Sequence, residues 1–231
     1  ILLTPETSVY AQKDLGADII IPFDELPPYH IEKGVLVESL HRTHRWEKRS
    51  LNAHLLNRQQ QAMYAVIHGG IDPDLRALSC SYLTNLPFDG FAIGGSLGKN
   101  HQEMFDLLAY TMPLLPPEKP NHLLGIGDLV SLERCVQAGI DTFDSSHPTR
   151  SARHGMLFSK HGSIKILNSK HKNLFEAIDP TCSCLTCKNY SAAYLHHLFK
   201  AKEITGLVLA TIHNLTFMVN IMAEYRQRIM A

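Results

Sequence analysis

Five short apolar runs punctuate the first two-thirds of the chain, each ending in a glycine or polar cluster: Ala17–Glu25, Met63–Gly70, Asp89–Gly95, Asn121–Gly127 and Ile140–Ser146. Their β-branched and aromatic content over a few residues reads as strands buried on both faces, as in a parallel sheet. Helix signals lie between them. Thr4-Pro5-Glu6 supplies an N-cap and an N1 proline, with Gly16 placed to end that helix. Asp72-Pro73 repeats the device before Leu75, Leu78, Tyr82 and Leu83. Asn100 with Glu103 reads as a capping box, and Asp128 opens a helix closed by Gly139. Residues 38–60 are polar but free of Gly and Pro, which predicts a helix with a wide wet face.

Strand–helix alternation repeated five times predicts an α/β fold with a parallel sheet. Asp24, His68, Gly95, Gly127 and Asp144 stand at the C-terminal ends of the five strands. A (β/α)8 TIM barrel builds its site there, which favours the barrel over an open doubly wound sheet. Residues 1–150 would then be units β4 to β8, the last five of eight. Residues 151–231 would form a basic hairpin, a zinc-binding subdomain and a closing helix, running from about Ser191 to Arg228 with a break near Gly206. The hairpin is Met156–Leu167, turning at His161-Gly162. The chain has no initiator Met and opens on a helix signal, so it is expected to be a fragment of a longer protein.

Composition narrows the classes. The 231 residues are 45% hydrophobic and 19% charged, enough for a sizeable core. Disorder, collagen and a disulfide miniprotein are excluded. No uninterrupted apolar run reaches the ~18 residues of a membrane span, which argues against a membrane protein. No signal peptide stands at the start, so a cytoplasmic location is the default expectation. Lys+Arg and Asp+Glu both number 22, and overall charge says nothing about nucleic acid. Locally it does. Residues 145–175 hold six Lys/Arg and four His but no Asp or Glu, an anion-binding surface suited to a phosphodiester backbone.

The odd count of five cysteines, three of them in Cys182-x-Cys184-x-x-Cys187, points to a metal rather than disulfides. Three thiolates suit a tetrahedral Zn²⁺. Spacing leaves His196, His197 and His213 all open as the fourth ligand. Four protein ligands leave no place for water, so one structural zinc is expected. Asp144 follows a strand directly and precedes Arg150 and Arg153. In that position a carboxylate is a nucleophile, a base or a metal ligand, or else a plain turn residue. A basic neighbourhood keeps it ionised. On residues alone, Asp24 could pair with Asp144 as an acid/base couple. Gly69-Gly70, Gly94-Gly95 and Gly125-Ile126-Gly127 let a flat ligand approach the backbone, but no dinucleotide fingerprint is present.

Taken together, LTPE (Leu3–Glu6), FDE (Phe23–Glu25), HGG (His68–Gly70), GFAIGG (Gly90–Gly95), GIG (Gly125–Gly127), the run Asp144–Gly155 with its PTRxxR core, and CxCxxC with a histidine 26 residues later resemble the tRNA-guanine transglycosylases, or queuine tRNA-ribosyltransferases, of bacterial type. The resemblance implies a barrel with a zinc subdomain and a pentosyltransferase activity. Asp144 would attack the ribose C1′ at the anticodon wobble position, expel guanine and hold the RNA covalently until a 7-deazaguanine base, queuine or its aminomethyl precursor, displaces it. Asp24 becomes a base-recognition residue, which replaces the acid/base pairing, and the Gly95 backbone binds the base carbonyl. His68 stands where the family usually has Gln. Gly98 falls where bacterial members carry valine and queuine-using members glycine, implying room for queuine's cyclopentenediol. Gly125, Ile126, Gly127, Asp128, Leu129, Val130 and Ser131, with Thr149, Arg150, Ser151, Ala152 and Arg153, correspond to tRNA-contacting stretches. The zinc ligands become Cys182, Cys184, Cys187 and His213. The implied partners are a tRNA with guanine at the wobble position, the 7-deazaguanine base and a second copy of the chain. The family's N-terminal third, with its proton-accepting aspartate, has no counterpart here. Two other classes are a non-catalytic tRNA-binding subunit that keeps the zinc fold, and a metal-dependent barrel hydrolase. The hydrolase would need an open metal site from Asp24, His68 and Asp144 alone.

Overall fold

Strands β1 (Ile19–Ile20), β2 (Ala62–Ile67), β3 (Gly90–Ile93), β4 (Asn121–Leu123) and β5 (Thr142–Phe143) pair in sequence order, all parallel. The computed structural model describes residues 2–231, which divide into two compact units, one ending at Asp144 and one spanning Ser145–Ala231. A doubly wound sheet reverses its strand order at a switch point. A monotonic order is that of successive (β/α) barrel units, here a curled half-barrel of five strands among the described residues.

The helices of the first unit are α1 (Pro5–Asp14), α2 (Lys33–Leu56), α3 (Pro73–Thr84), α4 (His101–Thr111) and α5 (Leu129–Gln137). Thr4, Asp72, Asn100 and Asp128 all cap with their side chains, as their residue types predict. Only half of the Asn100 box forms. Asn100 accepts from the Glu103 N–H, while the Glu103 carboxylate turns to the Lys99 N–H instead. The core is strand residues such as Ala65, Ile67, Phe91 and Ile93 against Leu51, Leu83, Leu107 and Leu108 from the helices.

Two expectations are corrected. The apolar runs overstate the strands, because their C-terminal halves leave the ladder to become the site loops. The wet face predicted for 38–60 exists but is narrower: Glu38, His41, Arg45, Arg49 and Asn52 are exposed, while the polar residues Thr43, His44, Glu47, Ser50 and His54 are buried. The reason lies in the segment 23–25, which has left the sheet. Its Phe23 and Glu25 N–H groups donate to the Ser50 and Thr43 hydroxyls at 3.2 and 3.0 Å. Backbone donors that leave a ladder away from open water need other partners, and α2 supplies them from its polar stripe.

The second unit joins α6 (His147–Arg153), a hairpin of β6 (Met156–Ser159) and β7 (Gly162–Lys165), α7 (Leu185–Asn189), α8 (Ala192–Ala201) and α9 (Ile204–Met230). Its core is Ala152, Leu157, Ile166, Ala192, Leu195, Leu198, Leu209 and Ala210. The hairpin turns on Lys160-His161, one residue earlier than predicted, with Gly162 at φ +109°. The closing helix breaks at Lys202 (φ 59°), not at Gly206. Gly206 lies inside α9, where a β-carbon would come 3.0 Å from that of Leu198, so its role is close approach to α8. By length and composition α9 is long and apolar enough to cross a membrane, a property the polar residues interrupting it hide from a search for apolar runs. Its buried face carries His213 and Asn214. Asn214 accepts from the Phe158 N–H and donates to the Pro148 and Met156 carbonyls, so the helix is tied into this unit's core.

Candidate active site and metal centre

The first cluster forms where β1, β2 and β3 end. His68 is buried, and its Nε2 lies 2.8 Å from Asp24 Oδ2, whose carboxylate stays a third exposed. An ionised carboxylate only accepts, so His68 donates there. Its Nδ1 faces Gly95, where a β-carbon would sit 3.0 Å away. Asp24, His68 and Gly95, far apart in sequence, are thus one group. His68 spends its Nε2–H on holding Asp24.

Beneath this group lies Arg76 on α3, fully buried and, among the described residues, without a carboxylate partner. It donates to the carbonyls of Ile67 (2.6 Å), Gly70 (2.8 Å), Gly94 (2.8 Å) and Ser96 (3.1 Å). One planar fork therefore ties the two glycine loops together. Burial lowers its pKa to about 10, leaving it charged at neutral pH. Glu47, also fully buried, accepts from the Val66 N–H, while its other oxygen has no hydrogen-bond partner among the described residues. Burial, and secondarily the charge of Asp24, push its carboxyl well above the usual range. Gly98 has φ +103°, and a β-carbon would meet that of Glu103 at 2.7 Å. Its glycine is demanded by the loop, whatever room it leaves for a ligand. Glu103 holds this loop by accepting from the Lys99 N–H and the Tyr29 hydroxyl.

The second cluster stands at the ends of β4 and β5. Asp144 Oδ1 accepts from the Gly125 N–H (3.0 Å) and lies 3.0 Å from His122 Nε2. The Asp144 side chain is 59% exposed. Of the stretch 125–131, Gly125 and Val130 are exposed and Ile126, Asp128 and Leu129 half-buried. Gly127 and Ser131 are buried, the Ser131 hydroxyl donating to the capping Asp128. In the second unit Arg150 and Arg153 are exposed on α6, Thr149 and Ser151 half-buried, and Ala152 wholly inside the core. His147, Arg150, Ser151 and His154 line a shallow concavity with Met156 and Phe158.

Cys182, Cys184, Cys187 and His213 bring one ligand atom each to within 4.8 Å of one another, a Cys3His set that could hold a metal ion. Cys184 caps α7, its sulfur accepting from the Cys187 N–H. His213 Nε2 donates to the Phe158 carbonyl at 2.8 Å, which turns Nδ1 toward the sulfurs of Cys187 (3.3 Å) and Cys184 (3.6 Å). A backbone carbonyl fixing one ring nitrogen so that the other can ligate is a common metal-site arrangement. The two rival histidines are used otherwise: His196 is buried against the Ile166 carbonyl, and His197 is exposed. Burial raises the Cys187 and Cys182 thiols in the absence of a cation, so a bound cation would relieve the crowding of three sulfurs.

Arg76 and His122 escaped the sequence reading, although both left traces. Arg76 shares the helical stripe of Ser79, Cys80 and Leu83, and His122 interrupts an apolar strand.

Comparison with known proteins agrees with this geometry. The family model for queuine tRNA-ribosyltransferase matches residues 1–231. The chain is 65% identical over 229 residues to a queuine tRNA-ribosyltransferase of Protochlamydia amoebophila, covering 99% of this chain and 59% of that protein. It is 52% identical over 231 residues to that of Chlamydia caviae and 51% to that of Chlamydia trachomatis, covering all of this chain and 62% of each. It therefore spans about three-fifths of the length of these curated relatives. Motifs, strand order and sequence identity converge: the chain belongs to the queuine tRNA-ribosyltransferase family.

Proposed function

We propose that this chain carries the base-exchange site of a tRNA-guanine transglycosylase, a pentosyltransferase that replaces guanine at the wobble position with a 7-deazaguanine base. The observation that carries the reading is the pair of polar clusters at the C-terminal ends of consecutive parallel strands. Asp24, held by His68, offers its free carboxylate oxygen to the N–H edge of a guanine-like base, over the glycine floor at Gly95. Asp144 is the nucleophile, and two displacements at one carbon retain the sugar's configuration. In the second unit the exposed cations Arg150 and Arg153, with Thr149, bind the phosphodiester backbone, and in the first unit Gly125–Ser131 is a separate tRNA-contacting stretch of the same reading. A homodimer and a cytoplasmic location belong to the same reading and rest on the family resemblance alone.

The metal in this reading is one zinc ion on Cys182, Cys184, Cys187 and His213, the softness of three thiolates favouring it. It supplies a crosslink between the 182–187 loop and α9 and no reaction step. The proposed incoming base is queuine as well as its aminomethyl precursor, supported by the glycine at 98. Because that position also has φ +103°, a Gly98→Val variant must be judged by the ratio of the two bases and not by its overall rate.

The experiment is exchange of labelled guanine into tRNA by the full-length protein. Asp144→Asn is expected to lower the rate by about a thousandfold or more. Unchanged exchange in that variant would refute the nucleophile. Tight tRNA binding without exchange in the unsubstituted protein would favour the accessory-subunit reading.

A further inference from the structure

We propose that His122 is the positioning residue of the Asp144 carboxylate, engaging Oδ1 so that Oδ2 is the attacking atom, and stabilising the carboxylate as it leaves. The proposal rests on Asp144 being the nucleophile. In the β4–β5 ladder His122 pairs with Thr142, and the two-residue period of a strand puts position 144 on the same face as 142. Two donors converge on one oxygen: the Gly125 N–H and His122 Nε2 each lie 3.0 Å from Asp144 Oδ1. The other ring nitrogen, Nδ1, lies 2.8 Å from the Thr142 hydroxyl oxygen.

These contacts assign the proton. An ionised carboxylate cannot donate, so Nε2 must. In a neutral ring Nδ1 then accepts from the Thr142 hydroxyl, and the ring is held at both ends. The imidazole is largely covered, with 17% of its side chain exposed, whereas the carboxylate it holds is 59% exposed. A covered group thus orients an accessible one. Among the described residues no hydrogen bond reaches Oδ2, which keeps its lone pairs for chemistry.

The two donors act differently in the two displacements. In the first, an Oδ2 lone pair bonds C1′ while the C1′–N9 bond breaks. The electron pair leaves on guanine N9, which takes a proton from water. Oδ1 becomes the ester carbonyl, still facing its donors. In the second, the incoming base, its ring nitrogen deprotonated to water, attacks C1′. The Oδ2–C1′ bond breaks, and its electron pair restores the carboxylate. Negative charge grows on the carboxylate only in this step, where fixed donors lower the barrier. Removing His122 therefore slows the second displacement more than the first, and adduct accumulates.

The test uses the full-length protein with a tRNA carrying guanine at the wobble position. It measures turnover and the steady-state fraction of protein–RNA adduct. His122→Leu is expected to lower turnover about ten- to a hundredfold, the worth of a hydrogen bond to a charged group, while raising the adduct fraction. His122→Gln, with an N–H at similar reach, restores most of both. Thr142→Val frees the ring and shifts both readouts the same way by a smaller factor, so it answers even if His122→Leu does not fold. Turnover within about twofold of the unsubstituted protein and an unchanged adduct fraction in His122→Leu and Thr142→Val would overturn the proposal alone. Complete absence of adduct from the unsubstituted protein, with exchange indifferent to Asp144→Asn, would bring down the reading of Asp144 on which it rests.

Discussion

Replacing Arg76 by methionine keeps the apolar stem of the side chain and removes a guanidinium that donates to four carbonyls. Ile67 O would keep a partner, the Gly94 N–H. The carbonyls of Gly70, Gly94 and Ser96 would lose theirs. A buried acceptor left unsatisfied costs about 1–3 kcal/mol, less where a loop can relax or admit water. Against this, burial of the guanidinium already opposes its charge, as its lowered pKa of about 10 records, and relief of that cost offsets part of the loss. The expected net destabilisation is about 2–5 kcal/mol. Arg76→Lys recovers less than half of it, since one ammonium cannot span two loops. Urea unfolding of the full-length protein, followed by its far-UV signal, measures the change. Because Gly94 and Gly95 adjoin the proposed base pocket, KM for the base should rise as well. A methionine variant within about 1 kcal/mol of the unsubstituted protein, with KM unchanged, would refute the reasoning.

Glu47 gives a pH signature. Its folded-state pKa is raised by burial first and by Asp24 second. Folding therefore favours the protonated form, and the stability this contributes is present below its ordinary value near 4.5 and lost as pH rises toward the folded one. The stability advantage of Glu47→Gln over the unsubstituted protein should accordingly grow from about pH 4.5 upward; a pH-independent difference in denaturant titrations would contradict this. For the metal centre, elemental analysis should find one zinc per chain, lost in Cys187→Ala and His213→Ala. Chelation should unfold the 182–187 loop and α7 while leaving the first unit's far-UV signal, and full metal content in either variant would refute the ligand set.

The strands' order, the caps of four helices and the Cys3His loop were legible because they depend on local chemistry: alternation, N-cap side chains and thiol spacing. The choice of His213 over His196 and His197 was open to spacing. It is decided by which imidazole brings a ring nitrogen to the sulfurs: His213 Nδ1 faces Cys184 and Cys187, whereas His196 Nδ1 is held on the Ile166 carbonyl. The polar stripe of α2 misled for a related reason. Thr43 and Ser50 look like solvent residues in a helix, and only the departure of residues 23–25 from the sheet gives their hydroxyls backbone N–H partners. Arg76 and His122 were missed because a polar side chain among apolar positions carries no sign of what it faces. Four carbonyls from two loops, or one carboxylate from the next strand, are products of tertiary structure.

The central claim is a covalent bond from the Asp144 carboxylate to a ribose carbon. Incubation of the full-length protein with a wobble-guanine tRNA, nuclease trimming and peptide mass spectrometry tests it most directly. The account predicts an anticodon fragment without its guanine, attached to the peptide containing Asp144, absent in Asp144→Asn and discharged by added 7-deazaguanine base. A linkage mapped to any other residue, or exchange proceeding with no linked peptide under rapid quenching, would contradict it.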